Sequence, residues 1–238
     1  FCEARIFSFC LGFFKSISMH AERSFDKLFS VKKPIIGMIH LAGENADKKV
    51  ARALEELSVY EQEGVDGAII EDYHGMPKDI EEVLIKSQGK FKIVLGVNVL
   101  RNPYFGIKLA SDYGARFVQF DSVQTPDLNL RVYDEMREKF PSISVFGGIG
   151  FKYTSPTGNP LEVDLSKGML RCEAIVTTGT GTGKETPLNK LRQYKNILRN
   201  FPLIVGAGVN LENVRQQLEF ADGAIIGSYF KPDGNTKS

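Results

Sequence analysis

A repeated alternation of apolar and amphipathic segments limits the folds that this chain can adopt. From residue 34 onward, short runs rich in β-branched residues are each followed by a polar or glycine-rich break and then by an amphipathic segment. Apolar runs of this kind between helices are typical of parallel strands that are buried on both faces. The sequence contains eight such runs, at residues 34–40, 66–72, 92–98, 116–121, 142–148, 173–178, 202–208 and 222–228.

Eight strand–helix units predict an α/β fold, the TIM (β/α)8 barrel. The main alternative is a doubly wound open sheet, but the first strand ends in "IHLAG", without the G-x-G-x-x-G turn with which such sheets bind dinucleotides. We expect a single barrel domain over residues 19–238 and an apolar N-terminal extension over residues 1–18. The apolar run 6–14 in this extension is far shorter than the roughly 20 residues that span a bilayer, so no transmembrane segment is expected.

The balance of charges argues against a nucleic-acid partner. Lys and Arg number 30 against 29 Asp and Glu, which leaves a net charge of +1, whereas nucleic-acid-binding proteins carry a basic patch or stripe. The three cysteines, Cys2, Cys10 and Cys172, are too few and too scattered for a disulfide framework or a zinc site. We therefore predict a reducing, cytoplasmic location, and we expect neither a metal ion nor a cofactor.

The stretch "VTTGTGTGKET" at residues 176–186 looks like a nucleotide-binding P-loop but lacks two of its requirements. A P-loop begins with glycine where this chain has Thr178, and its lysine is followed by Ser or Thr where this chain has Glu185. Because the stretch follows the sixth predicted strand, it forms a loop at the carboxyl face, where barrels build active sites. The alternative is a flexible loop without function. In the stretch 176–186, the candidate substrate-binding residues are Thr178, Gly179, Thr182 and Gly183.

Small residues after the last two predicted strands indicate a phosphate site. Many barrels hold a phosphate with backbone N–H groups of these two loops and with a helix N-terminus. Asn210 can cap the helix after the seventh strand, with Asn213 three residues further on. The alternative is that the glycines only make tight turns. The candidate N–H donors belong to Gly206, Ala207, Gly208, Gly227 and Ser228.

Polar side chains at the other strand ends can meet around one ligand, because these ends share one mouth of a barrel. We select Lys152, Glu71 and His40 as catalytic candidates, since a lysine or a glutamate in an apolar mouth can transfer protons. The alternatives are a plain ion pair between Glu71 and Lys152, and a hydrogen bond from His40 to the backbone. The further substrate-binding candidates are Asn98, Arg101, Asn102 and Asp121.

Six segments together resemble the BtpA/SgcQ family of barrel proteins. In the order and spacing of that family they are KKPIIGMIHL, GVDGAIIEDY, GVNVLRN, VTTGTGTG, VGAGVNLENV and ADGAIIGSYFKPDG. The resemblance implies a TIM barrel of the phosphate-binding type, with a phosphorylated sugar or nucleoside-like molecule as its partner. One branch of the family is known for photosystem I accumulation at the cytoplasmic side of thylakoids. Another branch lies among sugar-uptake genes and is described as a nucleosidase.

The sequence also departs from the family pattern. Gly148 and Tyr153 stand where the family tends to have an acid and a histidine near Lys152, which fits ligand binding with altered or absent catalysis. The sequence ends four residues after Gly234, so we predict a missing or shortened eighth helix. The run 6–14, or a partner such as a second copy of the chain, would then cover the apolar seam between the eighth and first strands.

Two functions follow from these residues. The first is a barrel enzyme, a lyase, hydrolase or isomerase, in which Gly208 and Ser228 anchor a phosphate and Lys152 and Glu71 act as acid and base. The second is a non-catalytic assembly factor, peripheral to a membrane, that binds protein or membrane-associated partners. In the enzyme, the residues that orient the substrate are Asn98, Arg101 and Thr182.

Overall fold

Each of the eight apolar runs forms one parallel strand of a closed barrel, which confirms the predicted TIM barrel. The computed structural model describes residues 25–125 and 127–237. Every strand pairs with its neighbour in sequence and β8 pairs with β1, so the sheet has no exposed edge. The strands are β1 Ile35–Ile39, β2 Gly67–Glu71, β3 Val94–Asn98, β4 Phe117–Phe120, β5 Ser144–Gly148, β6 Ala174–Thr178, β7 Leu203–Gly206 and β8 Gly223–Ile226.

An α-helix follows each strand from β1 to β7, and a short 3₁₀ helix, Ser228–Phe230, follows β8. Asn45, Asn102 and Asn129 begin three of these helices, since each side chain accepts a hydrogen bond from the N–H three residues further on, at 3.0, 3.3 and 3.3 Å. Such caps are favoured because the first turn of a helix leaves its N–H groups unpaired. The helices are α1 Ala46–Gln62, α2 Pro77–Ser87, α3 Pro103–Tyr113, α4 Leu130–Lys139, α5 Leu161–Met169, α6 Leu188–Leu198 and α7 Val214–Gln217.

Alternate side chains of each strand point into the barrel, because successive residues of a strand face opposite sides of a sheet. The outward side chains pack with the helices in one apolar cluster that includes Ile39, Ile70, Val118 and Val205. The inward side chains form a separate cluster that includes Ile36, Ile69, Phe117, Phe146, Val176 and Ile204. At the carboxyl ends of the strands, the inward face becomes polar and carries His40, Glu71, Asn98, Gln119 and Thr178.

Aromatic rings fill the amino end of the barrel. Phe117 and Phe146 stack with 4.4 Å between their ring centroids. Phe25 and Phe29, from the segment before β1, pack on Phe146 and Phe117 at 5.8 and 6.1 Å respectively. Gly96 makes room for this stack, because a Cβ at this position would lie 2.4 Å from the ring of Phe117. A ligand therefore has to enter the barrel from its carboxyl end.

The last helix of the barrel is shortened, as predicted. In the described part of the chain, only the 3₁₀ helix follows β8, and the next residues run back over α1. Phe230 packs on Tyr60 with 5.4 Å between the ring centroids, and the buried Lys231 pairs with Glu56. Tyr60 in turn lies on β1 at Gly37, where a Cβ would be 2.3 Å from its ring. The two aromatic rings thus cover part of the seam between β8 and β1.

The N-terminal extension, residues 1–18, lies outside the described residues. The predicted contact of its apolar run 6–14 with the seam lies outside them as well. No helix in residues 25–125 and 127–237 is long and apolar enough to cross a membrane.

We expect Gly96→Ala to destabilise the barrel by about 1–3 kcal/mol, the usual cost of overpacking a well-packed core. The added methyl group would overlap the ring of Phe117, whose position is held by its stack with Phe146. Urea unfolding measures the change in the free energy of unfolding.

The matched control is Gly106→Ala in α3, where a Cβ meets its nearest neighbour at 3.5 Å, an ordinary contact. Alanine is the better helix former, so this variant should be at least as stable as wild type. Equal destabilisation by the two substitutions would contradict the packing argument.

Candidate active site

The inward side chains at the carboxyl ends of the strands surround a cavity of about 480 Å³. Pockets of this size hold small molecules. The loops after β5, β6, β7 and β8 contribute most of its rim. The predicted site residues that line the cavity are His40, Glu71, Lys152, Thr178, Thr182, Gly183, Gly206, Ala207, Gly208, Gly227 and Ser228.

A hydrogen-bonded row of polar side chains on β2, β3 and β4 forms one wall. Asn98 Nδ2 donates to Glu71 Oε1 at 2.9 Å and to Asp121 Oδ1 at 3.0 Å. Gln119 Nε2 donates to the same oxygen of Asp121 at 2.9 Å. The two amides therefore hold both carboxyl groups in place; Glu71 lines this cavity, and Asp121 lines a neighbouring one.

Burial keeps Glu71 and His40 neutral near pH 7. Burial, together with the negative charge of Asp121, raises the pKa of Glu71 from 4.5 to about 8. Burial and the positive charges of Lys231 and Lys152 lower the pKa of His40 from 6.5 to about 3. The Nε2 atom of His40 lies 3.9 Å from Glu71 Oε2, so a neutral base faces a neutral acid. The Nδ1 atom of His40 is buried and has no hydrogen-bond partner among the described residues. The alternative, a hydrogen bond from this atom to the backbone, is therefore not observed.

Lys152 reaches the cavity from the loop after β5. Its backbone N–H donates to Thr178 Oγ1 at 2.6 Å, and its Nζ lies 5.7 Å from the centroid of the Phe151 ring. Among the ion pairs of the described residues there is none between Lys152 and Glu71, so the alternative of a plain ion pair is not observed. The charge of Lys152 instead acts at longer range and lowers the pKa of both Glu71 and His40.

The loops after β7 and β8 present backbone N–H groups at the cavity. Ala207 and Gly208 both have left-handed backbones, with φ of 61° and 64°. Four backbone N–H groups of these loops form no hydrogen bond to another backbone group in the turns and loops of the part of the chain that the structure describes. They belong to Ala207, Gly208, Gly227 and Ser228. Gly227 lies against His40, since a Cβ there would be 3.0 Å from the Cε1 atom of the imidazole. Unpaired donors therefore lie next to the neutral acid and base.

The loop after β6 packs directly on the loop after β7. A Cβ at Gly208 would lie 2.3 Å from the backbone nitrogen of Glu185, and one at Gly179 would lie 2.5 Å from the carbonyl oxygen of the same residue. Across the mouth, a Cβ at Gly183 would come within 3.8 Å of Ser228 Oγ. Gly208 thus permits the close approach of the loops after β6 and β7, whereas the distance at Gly183 is that of an ordinary contact.

Asn210 and Asn213 brace the loop after β7. The Asn213 N–H donates to Asn210 Oδ1 at 3.0 Å, and the Asn210 N–H donates to Asn213 Oδ1 at 2.9 Å. The Nδ2 atom of Asn213 also donates to the carbonyl oxygen of Gly208 at 2.9 Å. Because α7 has only four residues, its macrodipole is small, and its N-terminus adds little positive potential at this loop.

Two further contacts hold the loop after β6 to the loop after β5. The hydroxyl of Tyr153 accepts a hydrogen bond from the Thr182 N–H at 3.0 Å. Lys190 on α6 donates from Nζ to the carbonyl oxygens of Gly150 and Thr178 at 2.6 and 2.7 Å. Burial lowers the pKa of Lys190 to about 8. The threonine-rich loop is therefore tied to its neighbours on both sides.

The remaining predicted residues lie beside the cavity rather than in it. Arg101 and Asn102 are exposed; Arg101 borders a separate cavity of about 370 Å³, and Asn102 caps α3. Asn98 and Asp121 belong to the hydrogen-bonded wall. Gly179 borders a neighbouring cavity of about 630 Å³.

Other residues that line the cavity were not selected as catalytic or binding candidates from the sequence, although Gln119 is one of the polar residues at the predicted strand ends. Gln119 faces inward because it lies two residues after Phe117 on β4, and alternate residues of a strand face the same side of the sheet. This orientation could have been predicted from the alternation along the strand. Asn235 and Thr236 reach the rim from the C-terminal segment, where Thr236 Oγ1 lies 2.9 Å from His74 Nε2. No local pattern marks such a return of the chain.

Gly148, which stands where the resemblance to the family implies an acid, has no room for a side chain. A Cβ at Gly148 would lie 2.0 Å from the carbonyl oxygen of Asp121, so an acid at this position requires a shift of the backbone. Within residues 25–125 and 127–237, no group of three or more His, Cys, Asp or Glu side chains could hold a metal ion.

The fold and the cavity define a (β/α)8 barrel whose polar site lies at the carboxyl ends of the strands. The sequence profile of the BtpA family matches residues 31–238, and the chain belongs to this family. It is 30% identical to an uncharacterized protein of Pyrococcus abyssi, over 86% of this chain and 90% of that protein. It is 26% identical to the photosystem I biogenesis protein BtpA of Synechocystis sp., over 87% of this chain and 83% of that protein.

A solved structure has the same fold at low sequence identity. The N-acetylmannosamine-6-phosphate 2-epimerase of Clostridium perfringens matches with a TM-score of 0.60 and 14% identity, over 84% of this chain and 89% of that chain. A likeness at this level of identity shows the fold alone.

We expect Glu71→Gln to remove one pH-dependent contribution to stability. A carboxyl group whose pKa is raised in the folded state contributes stability that is fully present below its unfolded pKa of 4.5 and is lost as the pH rises through about 8. The melting temperature of Glu71→Gln relative to wild type should therefore increase between pH 5 and pH 8 and level off above that range. Calorimetry over this pH series measures it.

The control for this series is Glu135→Gln, which removes an exposed carboxylate that pairs with Arg131 at 3.6 Å. Its melting temperature relative to wild type should stay nearly constant. A constant difference for Glu71→Gln as well would show that Glu71 is ionised in the folded protein at neutral pH.

Proposed function

We propose that this protein is an enzyme that acts on a small phosphorylated molecule, a phosphorylated sugar or nucleoside-like compound, at the carboxyl end of the barrel. One observation carries the proposal. Unpaired N–H groups of the loops after β7 and β8 lie in the same cavity as the neutral acid Glu71 and the neutral base His40. An anion bound by the loops is then held next to groups that can transfer protons.

In this proposal Gly208 and Ser228 anchor the phosphate. Consecutive backbone N–H groups form a concave site of positive partial charge that can bind a phosphate group without the help of a metal cation. Lys152 adds a positive charge to the cavity, and Glu71 does not repel an anion as long as it keeps its proton. The Clostridium epimerase of the same fold is named for a phosphorylated sugar, which agrees with such a ligand. The other candidate donors are Gly206, Ala207 and Gly227.

Glu71 and Lys152 are the acid–base candidates. A carboxyl group with a pKa near 8 holds its proton at neutral pH and can exchange it with a substrate during the reaction. The ammonium group of Lys152 would stabilise negative charge that develops on the substrate. The hydroxyl groups of Thr178 and Thr182 would orient the substrate from the loop after β6. Arg101 borders a different cavity and has no role in this proposal.

The second candidate function is a non-catalytic assembly factor. Leu211, after β7, and Tyr229, in the 3₁₀ helix after β8, are 76% and 53% exposed, which offers apolar surface to a macromolecular partner at the carboxyl face of the barrel. The Synechocystis relative is named a photosystem I biogenesis protein. Such a factor would bind a ligand without converting it and would work at the cytoplasmic side of a membrane.

We expect phosphorylated compounds to raise the melting temperature of wild type and of Ser228→Asn, but not that of Ser228→Asp. The two variants have side chains of equal size, and only aspartate places a negative charge where the phosphate is proposed to lie. A ligand at about one hundred times its Kd adds roughly 2.7 kcal/mol of stability, which is several degrees for a chain of this size. A thermal-shift series with inorganic phosphate and ribose 5-phosphate measures the effect.

Equal shifts for the Asn and Asp variants would contradict the phosphate site. If no phosphorylated compound shifts the wild type, the assembly factor becomes the better hypothesis. For any compound that binds, conversion by wild type and its loss in Lys152→Met would support the enzyme.

A further inference from the structure

Gln119 lines the cavity and carries a buried acceptor that has no partner among the described residues. Its side chain faces inward from β4, lines the cavity and is only 1% exposed as a residue. Its Oε1 atom has no hydrogen-bond partner among the residues that the structure describes. Buried polar atoms nearly always have a partner. Four side-chain atoms of the described residues have none, and two of the four, Gln119 Oε1 and His40 Nδ1, belong to residues that line this cavity, where a molecule from outside the chain can supply the partner.

The neighbours of Gln119 fix the orientation of its amide. The Nε2 atom donates to Asp121 Oδ1, and the same oxygen accepts a second hydrogen bond from Asn98. A carboxylate oxygen cannot donate, so a flipped amide would bring two acceptors together. The Oε1 atom therefore has to face away from Asp121.

Gln119 lies across the barrel from the proposed phosphate loops. In the closed ring of eight strands, β4 is four strands from β8 and three from β7. His40 and Glu71, at the ends of β1 and β2, lie on the path around the ring between these two sides. A ligand that bridges the cavity thus has its anionic group near β7 and β8 and meets a hydrogen-bond acceptor at its other end, near β4.

We infer that Gln119 determines specificity by accepting a hydrogen bond from a hydroxyl group of the ligand, and that the ligand is a sugar phosphate. This inference rests on the proposed phosphate site. A hydroxyl group suits this position better than an ammonium group, because Lys152 already places a positive charge in the cavity. The apolar side chains of Met38, Val176 and Ile225 offer contacts to the carbon chain between the two ends.

The first test compares ligands on the wild-type protein. Titration calorimetry with inorganic phosphate gives the affinity of the anion site alone, and ribose 5-phosphate and its deoxy analogues add the hydroxyl groups one at a time. We expect the loss of one particular hydroxyl to weaken binding by about three- to tenfold, the contribution of one hydrogen bond. Affinity that is indifferent to every hydroxyl group would overturn the inference.

The second test repeats the series on Gln119→Met, which keeps the length of the side chain but cannot accept a hydrogen bond of this strength. The same hydroxyl should no longer affect binding, whereas inorganic phosphate should still bind. Unchanged discrimination in this variant would refute the role of Gln119 and leave the phosphate site in place. Absence of binding of both phosphate and ribose 5-phosphate to wild type would refute both proposals. The wild-type series can overturn the inference even if the variant does not fold.

Discussion

The pairing of β8 with β1 is the constraint on which the rest of the structure depends. Once the ring is closed, the alternation of side chains along each strand decides which of them point inward. The lower inward positions are apolar and pack around Phe117 and Phe146, whereas the last inward positions are polar. Because all strands are parallel, their carboxyl ends share one mouth. His40 and Gly227, which are far apart in the chain, become neighbours there.

Burial then decides the chemistry of the mouth. In water the carboxyl group of Glu71 would be ionised at neutral pH, but inside the barrel removal from water favours its protonated form. The same removal from water makes the unpaired Oε1 atom of Gln119 unfavourable. In the function that we propose, the loop N–H groups on one side of the cavity bind the anion of the ligand, and the acceptor of Gln119 on the other side binds its hydroxyl group.

Much of the fold could be predicted from the sequence, and the site could be predicted in part. The run "PIIGMIH" became β1 because β-branched residues favour strands, and the glycines after β6, β7 and β8 became close-packed loops at one face. Arg101 and Asn102 were harder to place, because side chains beyond the end of a strand no longer follow its alternation. Asn102 caps α3 instead of facing the cavity. No local sequence pattern predicts the contact of Phe230 with Tyr60, because the two residues are far apart in the chain.

The sequence by itself determined the number and order of the strands and helices and the parity of their inward side chains, because these properties depend on residues that are neighbours in the chain. Only the tertiary structure decided which polar groups meet and how they are charged. The approach of Gly208 to Glu185, the neutral pair of Glu71 and His40, and the orientation of Gln119 by Asp121 all depend on distances between remote segments and on the water that those segments exclude.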